Sequence, residues 1–119
     1  MNPSLKGKRI LIVEDEFVTG ELLRSCVERE AGIPIGPAAS GQSAIDLMSR
    51  ERPHAALLDV SLLDGSSVRV ARELETCSVP YAVLTSHAAD SLPIELRPAP
   101  YLEKPIAPGP LIAMLARLA

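Results

Sequence analysis

The sequence predicts an α/β fold, a five-stranded parallel sheet covered by helices on both faces. Three observations lead there. Short apolar runs alternate with longer stretches in which apolar residues recur at helical spacing, as in repeated strand–helix units. The first run, Arg9-Ile10-Leu11-Ile12-Val13, is continuously apolar after its first residue, as strands buried on both faces are. Acids, a hydroxyl and a lysine stand just where successive runs end.

The elements follow in order. After the first strand, Phe17 to Ala31 carries Val18, Leu22, Leu23, Cys26 and Val27 at helical spacing, and Gly32 and Pro34 stop it. Ile35 to Ala39 is a weak strand containing Gly36 and Pro37, so it is placed at a sheet edge. Ser40 can cap a helix from Gly41 to about Glu51 that turns Ala44, Ile45, Leu47 and Met48 to one side, and Pro53 ends it. His54 to Leu58 is the third strand, ending at Asp59. Asp64-Gly65 marks a turn, and Ser66 or Ser67 opens a helix through Val68, Ala71 and Leu74.

Pro80 to Leu84 is the fourth strand and Pro100 to Glu103 a short fifth one. A last helix starts at Pro108 or Pro110 and contains Leu111, Ile112, Met114, Leu115 and Leu118. The stretch from Ala88 to Pro100 breaks the rhythm. With Pro93, Pro98 and Pro100 it cannot hold a long regular helix, so one or two helical turns near Ala88 to Leu92 are expected.

The 119 residues, 47% of them hydrophobic, suffice for one core and not two, so a single domain over residues 1–119 is expected, its core spanning about 8–118. A net charge of −3 makes no electrostatic case for nucleic-acid binding. No stretch reaches the roughly 20 apolar residues a membrane-spanning helix needs, and Ile10 to Val13 is too short for a signal-peptide core. Cys26 and Cys77 sit at apolar-periodic helix positions. They read as small buried hydrophobes in a reduced cytoplasm, without the paired spacing of a zinc site.

The chemistry lies where polar residues end the strands. Glu14 and Asp15 follow the first, Asp59 ends the third, Thr85 the fourth and Lys104 the fifth. In an open parallel sheet these are carboxyl ends, and ligands bind there where the strand order reverses. Carboxylates packed together repel unless a cation or proton compensates. An all-oxygen set with room for waters suits Mg²⁺, which favours phosphate oxygens. Lys104 and Thr85 would then hold phosphoryl oxygens, leaving Asp59 as the nucleophile of an acyl phosphate.

From about Lys8 to Leu118 the chain resembles a response-regulator receiver domain of two-component signalling. The resemblance rests on Ile12-Val13-Glu14-Asp15-Glu16, Leu57-Leu58-Asp59-Val60, Asp64-Gly65, Val83-Leu84-Thr85-Ser86 and Tyr101-Leu102-Glu103-Lys104-Pro105. It implies a doubly wound, flavodoxin-like sheet ordered 2-1-3-4-5 with a shortened or irregular fourth helix. It also implies that Asp59 is phosphorylated by a histidine kinase or histidine phosphotransfer protein, with Mg²⁺ as cofactor. Asp15 matches the direct metal ligand, Glu14 the acid that holds a metal-bound water, and the Ser61 backbone carbonyl the remaining protein ligand. Lys104 matches the family lysine, followed by a cis proline, here Pro105. Thr85 matches the switch hydroxyl and Tyr101 its aromatic partner, while Ser61 and His87 fall where receivers tune loss of the phosphate.

The implied mechanism is in-line attack on a phosphohistidine, after which the new dianion recruits the Thr85 hydroxyl and the Tyr101 ring turns inward. Phosphate would thus bias two pre-existing populations and change contacts with a downstream protein target. The resemblance also allows a homodimer. Two departures stand out. Leu62-Leu63 replaces the usual Met-Pro after the acceptor, and the proline-rich stretch replaces the fourth helix. Pro80-Tyr81-Ala82-Val83-Leu84-Thr85-Ser86-His87 is similar to the motif of stand-alone alphaproteobacterial receivers but lacks its Gly-Tyr.

Three other readings compete. A pseudo-receiver would use the fold for contacts without phosphorylation, and the full set of charged site residues speaks against it. A phosphatase working through an aspartyl phosphate needs a second acid two residues after the nucleophile, where Ser61 stands. The chain is accordingly expected to accept and slowly lose its own phosphoryl group without turning over small substrates. A flavin protein of similar topology needs a phosphate cradle after the first strand, where Glu14, Asp15 and Glu16 would repel a phosphate.

Overall fold

The computed structural model describes residues 4–86 and 92–119. The chain runs β1 (Arg9–Val13), α1 (Phe17–Arg29), β2 (Ile33–Ala38), α2 (Gly41–Glu51), β3 (Ala55–Asp59), α3 (Ser67–Thr76), β4 (Tyr81–Thr85), a 3₁₀ turn (Ile94–Leu96), β5 (Tyr101–Glu103) and α4 (Pro108–Leu118). The five strands form one parallel sheet in the order β2-β1-β3-β4-β5. The order reverses beside β1, which makes the sheet doubly wound and opens a crevice at the strand carboxyl ends.

The two faces bury different residues of the same strands, because side chains alternate along each strand. Leu11, Val13, Ala56, Leu58 and Val83 pack with Ala44 and Met48 of α2 and Val70 and Leu74 of α3. Ile10, Ile12, Ala55, Leu57 and Leu84 pack with Leu23 and Val27 of α1 and Leu111 and Leu115 of α4. Both faces being covered, β1 and β3 are apolar without alternation, as their sequences predict.

Several local expectations are corrected. Helix α1 stops at Arg29, not Ala31, because Ala31 adopts a positive φ of 61° that ends the helical path. Strand β2 spans Ile33–Ala38 instead of 35–39, since Arg9 and Ile10 of β1 pair with Ile33 and Pro34. Its place at the sheet edge tolerates the prolines, whose missing N–H groups need no second neighbour. His54 precedes β3, and its Nδ1 accepts the Arg9 backbone N–H at 2.9 Å, a structural role at the start of β1. Cys26 is buried as expected, but Cys77 is exposed, because it stands past the last turn of α3 as its C-cap and not within the helix, whose last buried residue is Leu74. In the proline-rich stretch the described part forms the 3₁₀ turn at Ile94–Leu96; the turns expected near Ala88 to Leu92 lie mostly outside the described residues.

Gly36 is where β2 is irregular. Its φ is +93°, and a Cβ there would stand 2.6 Å from the Ala38 backbone nitrogen and 2.9 Å from the Ile12 carbonyl oxygen. Neither backbone atom can yield without breaking β2 from β1. Gly36→Ala is therefore expected to lower the unfolding free energy by about 2 kcal/mol. Urea unfolding followed by circular dichroism checks this, and an unchanged midpoint would contradict the strain argument.

Candidate phosphoacceptor site

Strand register builds the site. Val13 of β1 lies beside Leu58 of β3, so the next residues, Glu14 and Asp59, leave the sheet together. Leu84 lies beside Asp59, and Thr85 beside Glu103, which brings Thr85 and Lys104 to the same edge. The Lys104 backbone N–H donates to the Thr85 carbonyl at 2.7 Å, closing the β4–β5 end of the crevice.

Glu14, Asp15 and Asp59 each present a carboxylate oxygen within 4.8 Å of the others. Glu14 and Asp59 are almost wholly buried, and so is Thr85. The Lys104 ammonium enters between two of the acids, donating to Glu14 Oε1 at 2.8 Å and Asp59 Oδ2 at 3.2 Å. Asp59 Oδ1 accepts the Ser61 backbone N–H at 2.9 Å, and Glu14 Oε2 accepts that of Glu16 at 3.2 Å. Asp15 Oδ2 accepts the Leu63 backbone N–H at 2.6 Å.

Three carboxylates thus face one ammonium. Burial, the hydrogen bond with Asp59 and the Asp59 charge push the Glu14 carboxyl up to about 7, against the opposing pull of Lys104. For Lys104, burial works to lower its pKa, but the bond to Glu14 and the charge of Asp59 outweigh it and hold the ammonium above its ordinary value. Burial is the larger cause and the neighbouring Asp59 adds to it, so the crevice disfavours a second anion beside Asp59. An all-oxygen cluster of this kind fits a small hard cation.

Linkage gives this a measurable consequence. Between about 4.5 and about 7, folded Glu14 keeps a proton that the unfolded chain releases. Stability therefore falls as pH rises through that window and levels off above it. In chelator-treated protein the fall is expected to be on the order of 2–3 kcal/mol larger in wild type than in Glu14→Gln. Parallel slopes in the two proteins, measured by urea unfolding from pH 4 to pH 8, would refute the assignment.

The remaining expected site residues are placed as follows. Ser61 reaches Asp59 through its amide. Tyr101 lies on β5 and is 40% exposed; the inward ring is expected only after phosphorylation. His87 lies outside the described residues. Glu16 precedes α1, and its Oε1 accepts the Thr19 hydroxyl at 2.5 Å. As expected, Ser40 caps α2, its side chain accepting the Ser43 N–H at 3.2 Å.

Two features have no signature in the sequence. One is the Leu63 amide on Asp15, because any residue but proline supplies an N–H. The other is Asp64, expected only as a turn residue. Its Oδ2 accepts the Gly41 N–H at the start of α2 at 3.0 Å, while its Oδ1 accepts the Ser66 N–H at 3.1 Å and the Ser66 hydroxyl. These bonds, the Ser66 side chain's first, hold the Asp64 carboxyl below its ordinary pKa. Asp64 is thereby the tie between the starts of α2 and α3.

A doubly wound flavodoxin-like sheet with an acid cluster and a lysine at its switch point defines a signalling module of the two-component type. Residues 10–116 match the response regulator receiver domain model, and the chain belongs to that family. The response regulator MprA of Mycolicibacterium vanbaalenii is 30% identical over 115 residues, covering 92% of this chain and 49% of the relative. The chain thus spans about half the length of the curated relatives it matches. Among solved structures, the response regulator PhyR from Brucella abortus has a TM-score of 0.83 at 27% identity, covering 98% of this chain and 50% of PhyR. The BeF3-activated conformation of SdrG from Pseudomonas melonis Fr1 has a TM-score of 0.79 at 32% identity, covering 93% of this chain and 96% of SdrG. The PhyR likenesses fit the alphaproteobacterial subgroup that the β4 stretch resembles. No helix among the described residues is long and apolar enough to cross a membrane.

Proposed function

We propose that this domain is a Mg²⁺-dependent phosphoacceptor whose Asp59 takes a phosphoryl group from a histidine kinase or histidine phosphotransfer protein. The observation that carries the reading is the convergence of Glu14, Asp15 and Asp59 on one crevice with Lys104 between two of them. Asp15 and Asp59 would hold the cation directly together with the Ser61 carbonyl, and Glu14 would hold one of its waters. Bound there, Mg²⁺ supplies positive charge against the phosphoryl oxygens.

The chain's own groups do the rest. An Asp59 carboxylate oxygen attacks phosphorus in line; the O–P bond forms as the N–P bond of the donor phosphohistidine breaks, and the imidazole keeps the electron pair. Lys104, which the buried acids hold charged, shifts from pairing them to pairing a phosphoryl oxygen. Thr85, buried at the end of β4, donates its hydroxyl to the phosphoryl group. Tyr101, half exposed on β5, is the ring that then turns inward and alters the surface presented to a downstream protein. Ser61 and His87 tune hydrolysis of the acyl phosphate, which is lost slowly and without turnover of small substrates. We place this single domain in the cytoplasm, with no direct role on nucleic acid, and a homodimer is compatible with the reading.

Intact-mass measurement tests it. Incubation with acetyl phosphate and Mg²⁺ is expected to add one phosphoryl mass, and chelation to prevent it. A wild-type chain that stays unmodified with both acetyl phosphate and its kinase would instead support a pseudo-receiver that works by contact alone.

A further inference from the structure

The β3–α3 loop carries an N–H that reaches back into the acid cluster. Leu63 donates to Asp15 Oδ2 at 2.6 Å, although the residue is 91% exposed. What Leu63 contributes is its backbone. That backbone is held from two sides. Gly65 N–H donates to the Leu62 carbonyl at 2.9 Å, closing a four-residue turn with Leu63 in its second position. The next residue, Asp64, is tied to Gly41 at 3.0 Å and to Ser66 at 3.1 Å. The donor is therefore aimed by a turn and by the starts of two helices.

We propose that the Leu63 N–H is a positioning group for Asp15, holding one carboxylate oxygen so that the other stays directed to a divalent cation. The inference rests on the cation-binding role proposed above. Its physical basis is that Asp15 sits among like charges, with oxygens of Glu14 and Asp59 within 4.8 Å. Repulsion alone would turn its side chain out to solvent, and cation binding would then have to recover both the rotamer and the approach. A donor already on one carboxylate oxygen lowers both costs, as hydrogen bonds behind ligating carboxylates do elsewhere. The Met-Pro that this chain lacks would put a proline, with no N–H, at this position.

Leu63→Pro is the direct test. Proline suits the second position of such a turn and the side chain is exposed, so the variant loses the donor while keeping the loop. Calorimetric titration is expected to give a Mg²⁺ Kd about tenfold higher for Leu63→Pro than for wild type, with Leu63→Ala matching wild type. An independent reading needs no loop variant. In metal-free wild type the Leu63 amide is expected to resist hydrogen exchange, and Asp15→Ala is expected to abolish that protection. Equal Mg²⁺ affinity in wild type and Leu63→Pro, equal weakening in Leu63→Ala, or an unprotected Leu63 amide would each overturn the positioning role alone. A wild type that binds no Mg²⁺ would overturn the cation site itself, and this inference with it.

Discussion

Asp59→Asn is expected to take up no phosphoryl group under conditions that fully modify the wild type, a loss of at least about a thousandfold in rate. The substitution keeps the size of the side chain and can keep its bond from the Ser61 amide, which approaches Oδ1 at 2.9 Å. What it removes is the anionic nucleophile: a neutral amide does not form the acyl phosphate. The geometry makes a substitute acceptor hard to find. Glu14 is buried and bound by Lys104, and Asp15 is held by the Leu63 amide. The measurement is intact mass followed by peptide mapping of the wild type. A phosphoryl mass on Asp59→Asn, or a mapped phosphate on Asp15, would show that the acceptor had been misassigned. Because Asp59 is also one of three crowded acids, its neutralisation is further expected to stabilise the metal-free fold, which separates lost chemistry from lost structure.

Replacing Lys104 has the second-largest expected effect, and it acts on two observables. The side chains of Glu14 and Asp59 are 0% and 4% exposed, and the Lys104 ammonium is bonded to both. Lys104→Met leaves these acids buried without that cation. Breaking a buried pair by removing one partner costs about 3–5 kcal/mol. Here the lysine is 20% exposed and Glu14 can take up a proton, so about 2 kcal/mol is expected at pH 8 and distinctly less at pH 5. The sign follows from Glu14: at pH 5 it is protonated in the folded state and needs no counter-charge.

Phosphoryl transfer to Asp59 is expected to slow about a hundredfold in the same variant, since a fixed charge opposite the transferred group is lost. Lys104→Arg distinguishes the two effects. It restores positive charge and hence most of the stability, but its planar fork does not reproduce a compact ammonium seated between two acids. Urea unfolding at both pH values and acetyl-phosphate kinetics read these effects. Unchanged stability of Lys104→Met at pH 8 would remove the electrostatic account of the cluster.

Both predictions depend on residues whose placement is legible in the sequence. The continuous apolar runs around Ile12 and Leu57 required strands buried on both faces, and helical periodicity between them required a parallel sheet. Parallel strands put all their carboxyl ends on one edge, so residues that end the runs had to lie along one crevice. Strand ends carrying Glu14, Asp59, Thr85 and Lys104 could therefore be read as neighbours although as many as 90 residues separate Glu14 from Lys104. Element ends were less legible. The limits of β2 and α1 moved by a few residues, because pairing with β1 and a single positive φ at Ala31 decide them, and neither leaves a compositional mark.

By itself, then, the order of apolar runs and polar run-ends determined the fold class and the membership of the acid–lysine site, since alternation and strand direction are consequences of local chemistry. Only the tertiary structure decided how those groups bond: that Lys104 bridges Glu14 and Asp59, that Cys77 is exposed, that Asp64 ties two helix starts, and that a backbone N–H of Leu63 grips Asp15. The reason is physical. Backbone donors and angstrom-scale distances depend on how loops from distant parts of the chain are packed together, and every non-proline residue looks the same to them.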